Sequence, residues 1–303
     1  MGTRIEAVAT AHARRGPLRQ GALQLADQVA RACLARAHRE AGDIDLLVNA
    51  GIYREDNLLE PALASMIQED IGANPGHPPR TGAHGTFSFD VANGGCGVLT
   101  ALELLDGFVR SGTIETGLVV ASDSDPGACE SFPFPAVGGA LLVRPASDGE
   151  GFIDFAWETF DEADGVFESA ISWHDSARHL PLTRPGKNVL RVVQGDGYER
   201  RAIACAEDAT RRFLARHALE VGSVDLAILS QSPLGFADGL ATRLDLAPGR
   251  VARVADALRG AHTAGPIAAL DAAIESGQFG AARTILFVTV GAGVVVGLAL
   301  YRK

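Results

Sequence analysis

A chain of 303 residues with 47% apolar content is long enough to bury a large core, as one big domain or two ordinary ones. A formal charge of −10 argues against a nucleic-acid binder, whose domains are normally basic. No stretch approaches the roughly 18–20 consecutive apolar residues of a membrane span, and residues 1–16 hold no apolar run of the signal-peptide kind. A cytoplasmic protein that binds neither membrane nor nucleic acid is expected.

Taken in chain order, the apolar period predicts a helix over Gly21 to Ala41, a strand over Ile44 to Ala50 and a helix over Glu60 to Ile71. A strand at Thr86 to Val91, a helix from Cys96 to Ser111, and strands at Gly117 to Ser122 and Gly139 to Arg144 follow. The order then repeats. Helices are expected over Glu199 to His217, Gly235 to Leu244 and His262 to Ser276, with strands at Val224 to Ser230, Arg250 to Val254, Thr284 to Val290 and Val294 to Tyr301.

The letters repeat as well as the period. Ala101-Leu102-Glu103-Leu104-Leu105 runs to Ser111-Gly112 and Thr116-Gly117-Leu118-Val119-Val120, while Ala268-Ala269-Leu270-Asp271-Ala272 runs to Ser276-Gly277 and Thr284-Ile285-Leu286-Phe287-Val288. Ile44-Asp45-Leu46-Leu47 likewise echoes Val224-Asp225-Leu226-Ala227. This predicts two βαβ-rich halves about a pseudo-twofold axis, residues 1–170 and 171–303.

The run from Phe89 to Gly97 ends a strand, turns on small residues and opens a helix at Cys96. The unpaired N–H groups and positive dipole end there are expected to favour thiolate over thiol. Aligned on their Ser-Gly pairs, the halves place Cys96 opposite Ala261, beside His262. Two facing helix ends would then bring a thiol and an imidazole into one pocket, as nucleophilic catalysis needs. The other cysteines, Cys33, Cys129 and Cys205, are scattered, with no Cys-x-x-Cys or Cys/His ligand spacing; they are expected to be structural thiols, and no metal or cofactor is implied.

Together these residues resemble the thiolase superfamily, and within it the β-ketoacyl-acyl-carrier-protein synthase III group, over Asp43 to Arg144 and Glu199 to Arg302. Phe89-Asp90-Val91 before Gly94-Gly95-Cys96 resembles the family's segment leading to its catalytic Cys, with one extra residue. Gly291-Ala292-Gly293 followed by Gly297 resembles the family's C-terminal Gly-rich strand beside the thiol, and Gly260-Ala261-His262-Thr263-Ala264 falls at its Gly-Asn-Thr-Ser motif. The resemblance implies an α/β thiolase-like fold, duplicated halves forming a layered αβαβα sandwich, and a dimer whose sheet continues across the interface. Two departures stand out. Ser230-Gln231-Ser232-Pro233 occupies the place of the family's His-Gln-Ala-Asn, so its His is replaced by Ser230, and the Trp-containing N-terminal segment that helps the family bind coenzyme A is not recognisable.

A decarboxylating condensation needs two donors to polarise a malonyl thioester, and the chain offers one imidazole and a hydroxyl. Acyl transfer through cysteine needs a nucleophile, an oxyanion hole and one base. The expected activity is therefore acyl transfer from a coenzyme A or carrier-protein thioester, with Cys96 as nucleophile, His262 as the base or the partner stabilising the thiolate, the backbone near Cys96 and Gly291, Ala292 and Gly293 as oxyanion hole, and Ser230 and Gln231 giving secondary hydrogen bonds. The alternatives are a condensing enzyme with an altered triad, or a non-catalytic subunit completing a heterodimer with a relative. Asp123-Ser124-Asp125 and Asp161 to Gly165 are expected to be solvated turns, and the stretch holding Trp173, His174, Arg178, His179 and Arg184 a surface loop. The arginines between Arg200 and Arg216 form a basic helix face, laced with Glu199, Glu207 and Asp208.

Overall fold

The computed structural model describes residues 2–13, 20–76, 85–127, 129, 132–161, 167–174 and 187–303. In the first half β1 (Thr3–His12) is followed by α1 (Ala22–Arg36), β2 (Leu46–Asn49), α2 (Leu63–Ile71), β3 (Phe87–Asp90), α3 (Gly97–Arg110), β4 (Gly117–Asp123) and β5 (Val137–Pro145). These strands form one sheet in the order β1-β5-β4-β2-β3. β6 (Gly151–Thr159) precedes an antiparallel hairpin, β7 (Phe167–His174) and β8 (Lys187–Gln194). Then come α4 (Tyr198–Arg216), β9 (Leu226–Leu229), α5 (Phe236–Arg243), α6 (Gly265–Glu275), the short α7 (Gln278–Ala281), β10 (Thr284–Gly291) and β11 (Val295–Arg302). The second sheet has the order β6-β11-β10-β9, so the division between the sheets falls in the chain between β5 and β6, before residue 170.

The two sheets sandwich α3 and α6. Leu99, Leu102 and Leu105 of α3 and Ile267, Leu270 and Ala273 of α6 share one core with Val119, Leu141, Ile285 and Phe287. α6 is buried nearly all round, which its almost wholly apolar sequence permits. Val29, Cys33 and Ile67 of α1 and α2 pack on the outer face of the first sheet, and Phe213, Leu214, Phe236 and Leu240 of α4 and α5 on that of the second. The result is the five-layered αβαβα arrangement.

The letter repeat has a structural basis. Asp45 Oδ2 accepts from the Glu115 and Thr116 amides (2.7 and 2.9 Å), and Asp225 Oδ2 from those of Arg283 and Thr284 (3.0 and 2.9 Å). Each carboxylate thereby fixes the start of the neighbouring parallel strand, β4 or β10. The Ser-Gly pairs end α3 and α6, where Gly112 and Gly277 take left-handed φ values of 71° and 78°.

Arg250 to Val254 is not a strand. Pro248 and Gly249 bend the chain into a 3₁₀ turn ending at Arg250, and only an isolated bridge, Ala227 to Val251, reaches β9. Trp173 and His174 belong to β7 rather than to a loop; Arg178, His179 and Arg184 lie outside the described residues, as do Glu162 to Gly165.

Candidate active site

The strand before the nucleophile is anchored by its own carboxylate. Asp90, at the end of β3, accepts from the Leu63 and Ala64 amides at 2.8 Å each, capping α2. The chain then makes a 3₁₀ turn over Gly94–Cys96, and Cys96 is the N-cap of α3. Gly95 is required here: a Cβ would sit 2.4 Å from the Val290 carbonyl oxygen, so only glycine lets β10 abut the turn. Gly291 is the next residue along β10, and a Cβ on it would lie 3.4 Å from Cys96 Sγ. Backbone therefore faces the sulfur, with the Val295 carbonyl 3.7 Å away.

Cys96 is 0% exposed. Burial pushes its thiol from an ordinary 9.0 up to about 11, offset only in part by the Thr289 hydroxyl and the Gly297 backbone. The expectation that the helix end would favour thiolate is thus corrected: desolvation outweighs the dipole in this interior.

His262 lies in the segment leading into α6, 8% exposed. Its ring stacks on Phe134 at 4.3 Å and 15°, with Tyr53 at 5.5 Å on its surround and Phe167 parallel at 6.5 Å. Nε2 faces the Cys96 turn: a Cβ on Gly94, two residues before the cysteine, would be 3.9 Å from it. Nδ1 lies 3.3 Å from Asp123 Oδ2. Tyr53 and Phe134, the rings beside the imidazole, form a small apolar cluster with Leu190 and Val192 of β8. Tyr198, at the start of α4, is also buried, 5.4 Å from Phe167, and desolvation together with Cys96 and Tyr53 pushes its phenol upward.

Asp123 is no solvated turn residue. At 2% exposed, its Oδ1 accepts from the Ile52 and Tyr53 amides (3.0 and 2.8 Å) and its Oδ2 from the Thr263 amide and hydroxyl (2.9 and 2.7 Å). Burial opposes ionisation, but His262 and these donors prevail and hold the carboxyl below its usual range. Sequence reasoning missed it because three polar letters after a strand read as a turn; only its position at the C-terminal end of β4 hinted otherwise.

The remaining site residues are arranged around β10. Ser230 Oγ accepts from the Val290 amide at 3.1 Å, and Gln231 Nε2 donates to the Leu229 carbonyl at 2.8 Å. Ser230 thereby braces β10, the strand that carries Gly291, and Gln231 folds back on the end of β9. Ala292 and Gly293 lie exposed in the turn between β10 and β11. The Cys96 amide already donates to Asn93 O at 2.9 Å. Cys33 and Cys205 are buried and Cys129 is half-buried, and none forms a disulfide. Among the described residues no group of three His, Cys, Asp or Glu could hold a metal ion, and no helix is long and apolar enough to cross a membrane.

Comparison with known proteins agrees with this architecture. The family model for the C-terminal part of 3-oxoacyl-[acyl-carrier-protein] synthase III matches residues 214–303. The β-ketoacyl-[acyl-carrier-protein] synthase III of Solibacter usitatus is 29% identical, the match covering 92% of this chain and 83% of the relative; that of Rhodospirillum rubrum is 27% identical with the same coverage. The crystal structure of 3-oxoacyl-[acyl-carrier-protein] synthase III from Aquifex aeolicus superposes with a TM-score of 0.79 at 19% identity over 100% of both chains. The priming β-ketosynthase of the R1128 polyketide pathway gives 0.79 at 22% identity, covering 99% of this chain and 96% of its own. In sequence and in fold the chain is similar to the β-ketoacyl-acyl-carrier-protein synthase III proteins, and the fold is the α/β thiolase-like one.

Proposed function

We propose that the protein is an acyltransferase that carries an acyl group from a coenzyme A or acyl-carrier-protein thioester on Cys96 and passes it to an acceptor without decarboxylation. The observation that supports this reading is a buried thiol at the start of α3 with the Nε2 edge of one imidazole beside the Gly94 turn that leads to it, while the residue in place of the family's His, Ser230, has its oxygen engaged by the Val290 amide. His262 Nε2 takes the Cys96 proton as Sγ attacks the thioester carbon. The tetrahedral oxyanion is held by backbone amides of Gly291, Ala292 and Gly293, the Cys96 amide being committed to Asn93. Collapse breaks the carbon–sulfur bond of the donor, whose thiolate recovers the proton from His262. An acceptor then gives its proton to His262 and attacks the acyl-Cys96 carbonyl, and Cys96 leaves as the thiol.

The donor classes are those named for its relatives, the synthases of acyl-carrier-protein substrates, and a structural neighbour, OleA of Xanthomonas campestris, has been crystallised with lauroyl-CoA. We also infer a dimer formed edge to edge through β3, the outermost strand of the first sheet, whose Phe87 is 64% exposed and packs beside Phe89. The absence of disulfides among the four cysteines suits a cytoplasmic setting.

Intact-protein mass spectrometry after incubation with a panel of acyl-coenzyme A and acyl-carrier-protein thioesters tests the reading. An acyl mass on the wild type, lost in Cys96→Ala, is expected. No adduct on this chain alone, but one on a relative purified with it, would mark it instead as the non-catalytic subunit of a heterodimer.

A further inference from the structure

We infer that Asp123 is a positioning residue that fixes His262 in the tautomer with the proton on Nδ1, leaving the Nε2 lone pair turned toward Cys96. The inference deepens the acyl-transfer reading and rests on His262 serving as base. Two facts set the tautomer. Asp123 Oδ2 lies 3.3 Å from Nδ1 and the carboxylate is enclosed, so an unprotonated Nδ1 would face a buried anion lone pair to lone pair. The carboxylate itself cannot turn away, because four further donors from two segments hold both oxygens: the Ile52 and Tyr53 amides, and the amide and hydroxyl of Thr263.

The same carboxylate therefore places three parts of the site at once. It ties the loop after β2, whose Tyr53 ring lies against the imidazole, to the segment before α6, which carries the imidazole, through the end of β4. Of the titratable groups around the ring, Asp123 and Tyr53 are in contact with it and Cys96 lies beyond Gly94; Phe134 and Phe167 are uncharged. No other described acid approaches Nδ1.

Ring ¹⁵N shifts of His262, assigned by their loss in His262→Gln, read the tautomer directly, and carbamidomethylation of Cys96 followed on its peptide reads the consequence. The wild type should show Nδ1 protonated and Nε2 bare at pH 8 to 9. Asp123→Asn, which presents an amide donor to Nδ1 or Thr263, should move the proton to Nε2 and slow neutral-pH alkylation on the order of 100-fold, with circular dichroism unchanged. A wild-type ring protonated on Nε2, or a variant with wild-type shifts and rate, overturns the inference. Should Asp123→Asn fail to fold, the wild-type shifts alone decide. Absence of thioester acylation alongside an Nδ1 proton defeats the acyl-transfer reading and leaves this one standing.

Discussion

Replacing His262 by alanine removes the base and leaves Cys96 to ionise unaided. A thiol pushed to about 11 is thiolate in a fraction on the order of 10⁻⁴ at pH 7, and holding the anion in this interior costs roughly 3 kcal/mol relative to an ordinary thiol. In His262→Ala the rate of Cys96 carbamidomethylation should rise about tenfold per pH unit from pH 6 to 10 and level off near pH 11. The wild type should exceed the variant on the order of 100-fold or more at pH 7. Mass spectrometry of the Cys96 peptide against time, at a series of pH values, gives both curves. Superimposable profiles would refute the assignment of His262 as base and the burial argument for needing one.

The two glycines on either side of the sulfur should separate stability from function. Gly95→Ala drives a Cβ into the Val290 carbonyl and should cost on the order of 2–4 kcal/mol in urea unfolding. Gly291→Ala places its methyl 3.4 Å from Sγ and should leave unfolding nearly unchanged while blocking acylation; equal effects on both measurements would contradict the geometry. Phe87→Glu should convert an edge-paired dimer to monomer on gel filtration, with a wild-type monomer counting against the proposed interface. Cys96 at about 11 and Cys33 at about 12 both titrate above their ordinary value in the folded state. Their neutral forms support the fold fully below pH 9, and stability should fall as pH rises from there through 11 to 12, by up to about 1.4 kcal/mol per pH unit for each thiol. Urea midpoints at pH 8 and 10.5 should show this slope, and Cys96→Ala should flatten it.

Much of the architecture was legible because the repeated elements are driven by local pattern. α1, α3 and α4, with β4, β5, β10 and β11, carry unbroken apolar periods, and Asp45 and Asp225 mark equivalent strand junctions in plain letters. β1 and β6 were not anticipated, since Arg4 and Glu6, like Asp154 and Glu158, interrupt their alternation with charge; their pairing comes from β5 and β11, more than 120 residues away in both cases. The reading of Arg250 to Val254 as a strand failed because Pro248-Gly249 leaves room for a single bridge. Within the site, His262 was reachable through the internal repeat. Asp123, Tyr53 and Phe134 were not, because what makes each of them part of the site is a partner 70 to 209 residues distant.

The lid-like hairpin has a chemical meaning beyond packing. Leu190 and Val192 pack with Tyr53 and Phe134, the rings beside the imidazole, and the sulfur has no access to bulk solvent, so water, the most abundant competing acceptor, would be kept from an acyl thioester on Cys96. On the proposed acyl-transfer reading, burial of this kind would lengthen the life of the thioester and so raise the chance that a scarce acceptor intercepts it before hydrolysis.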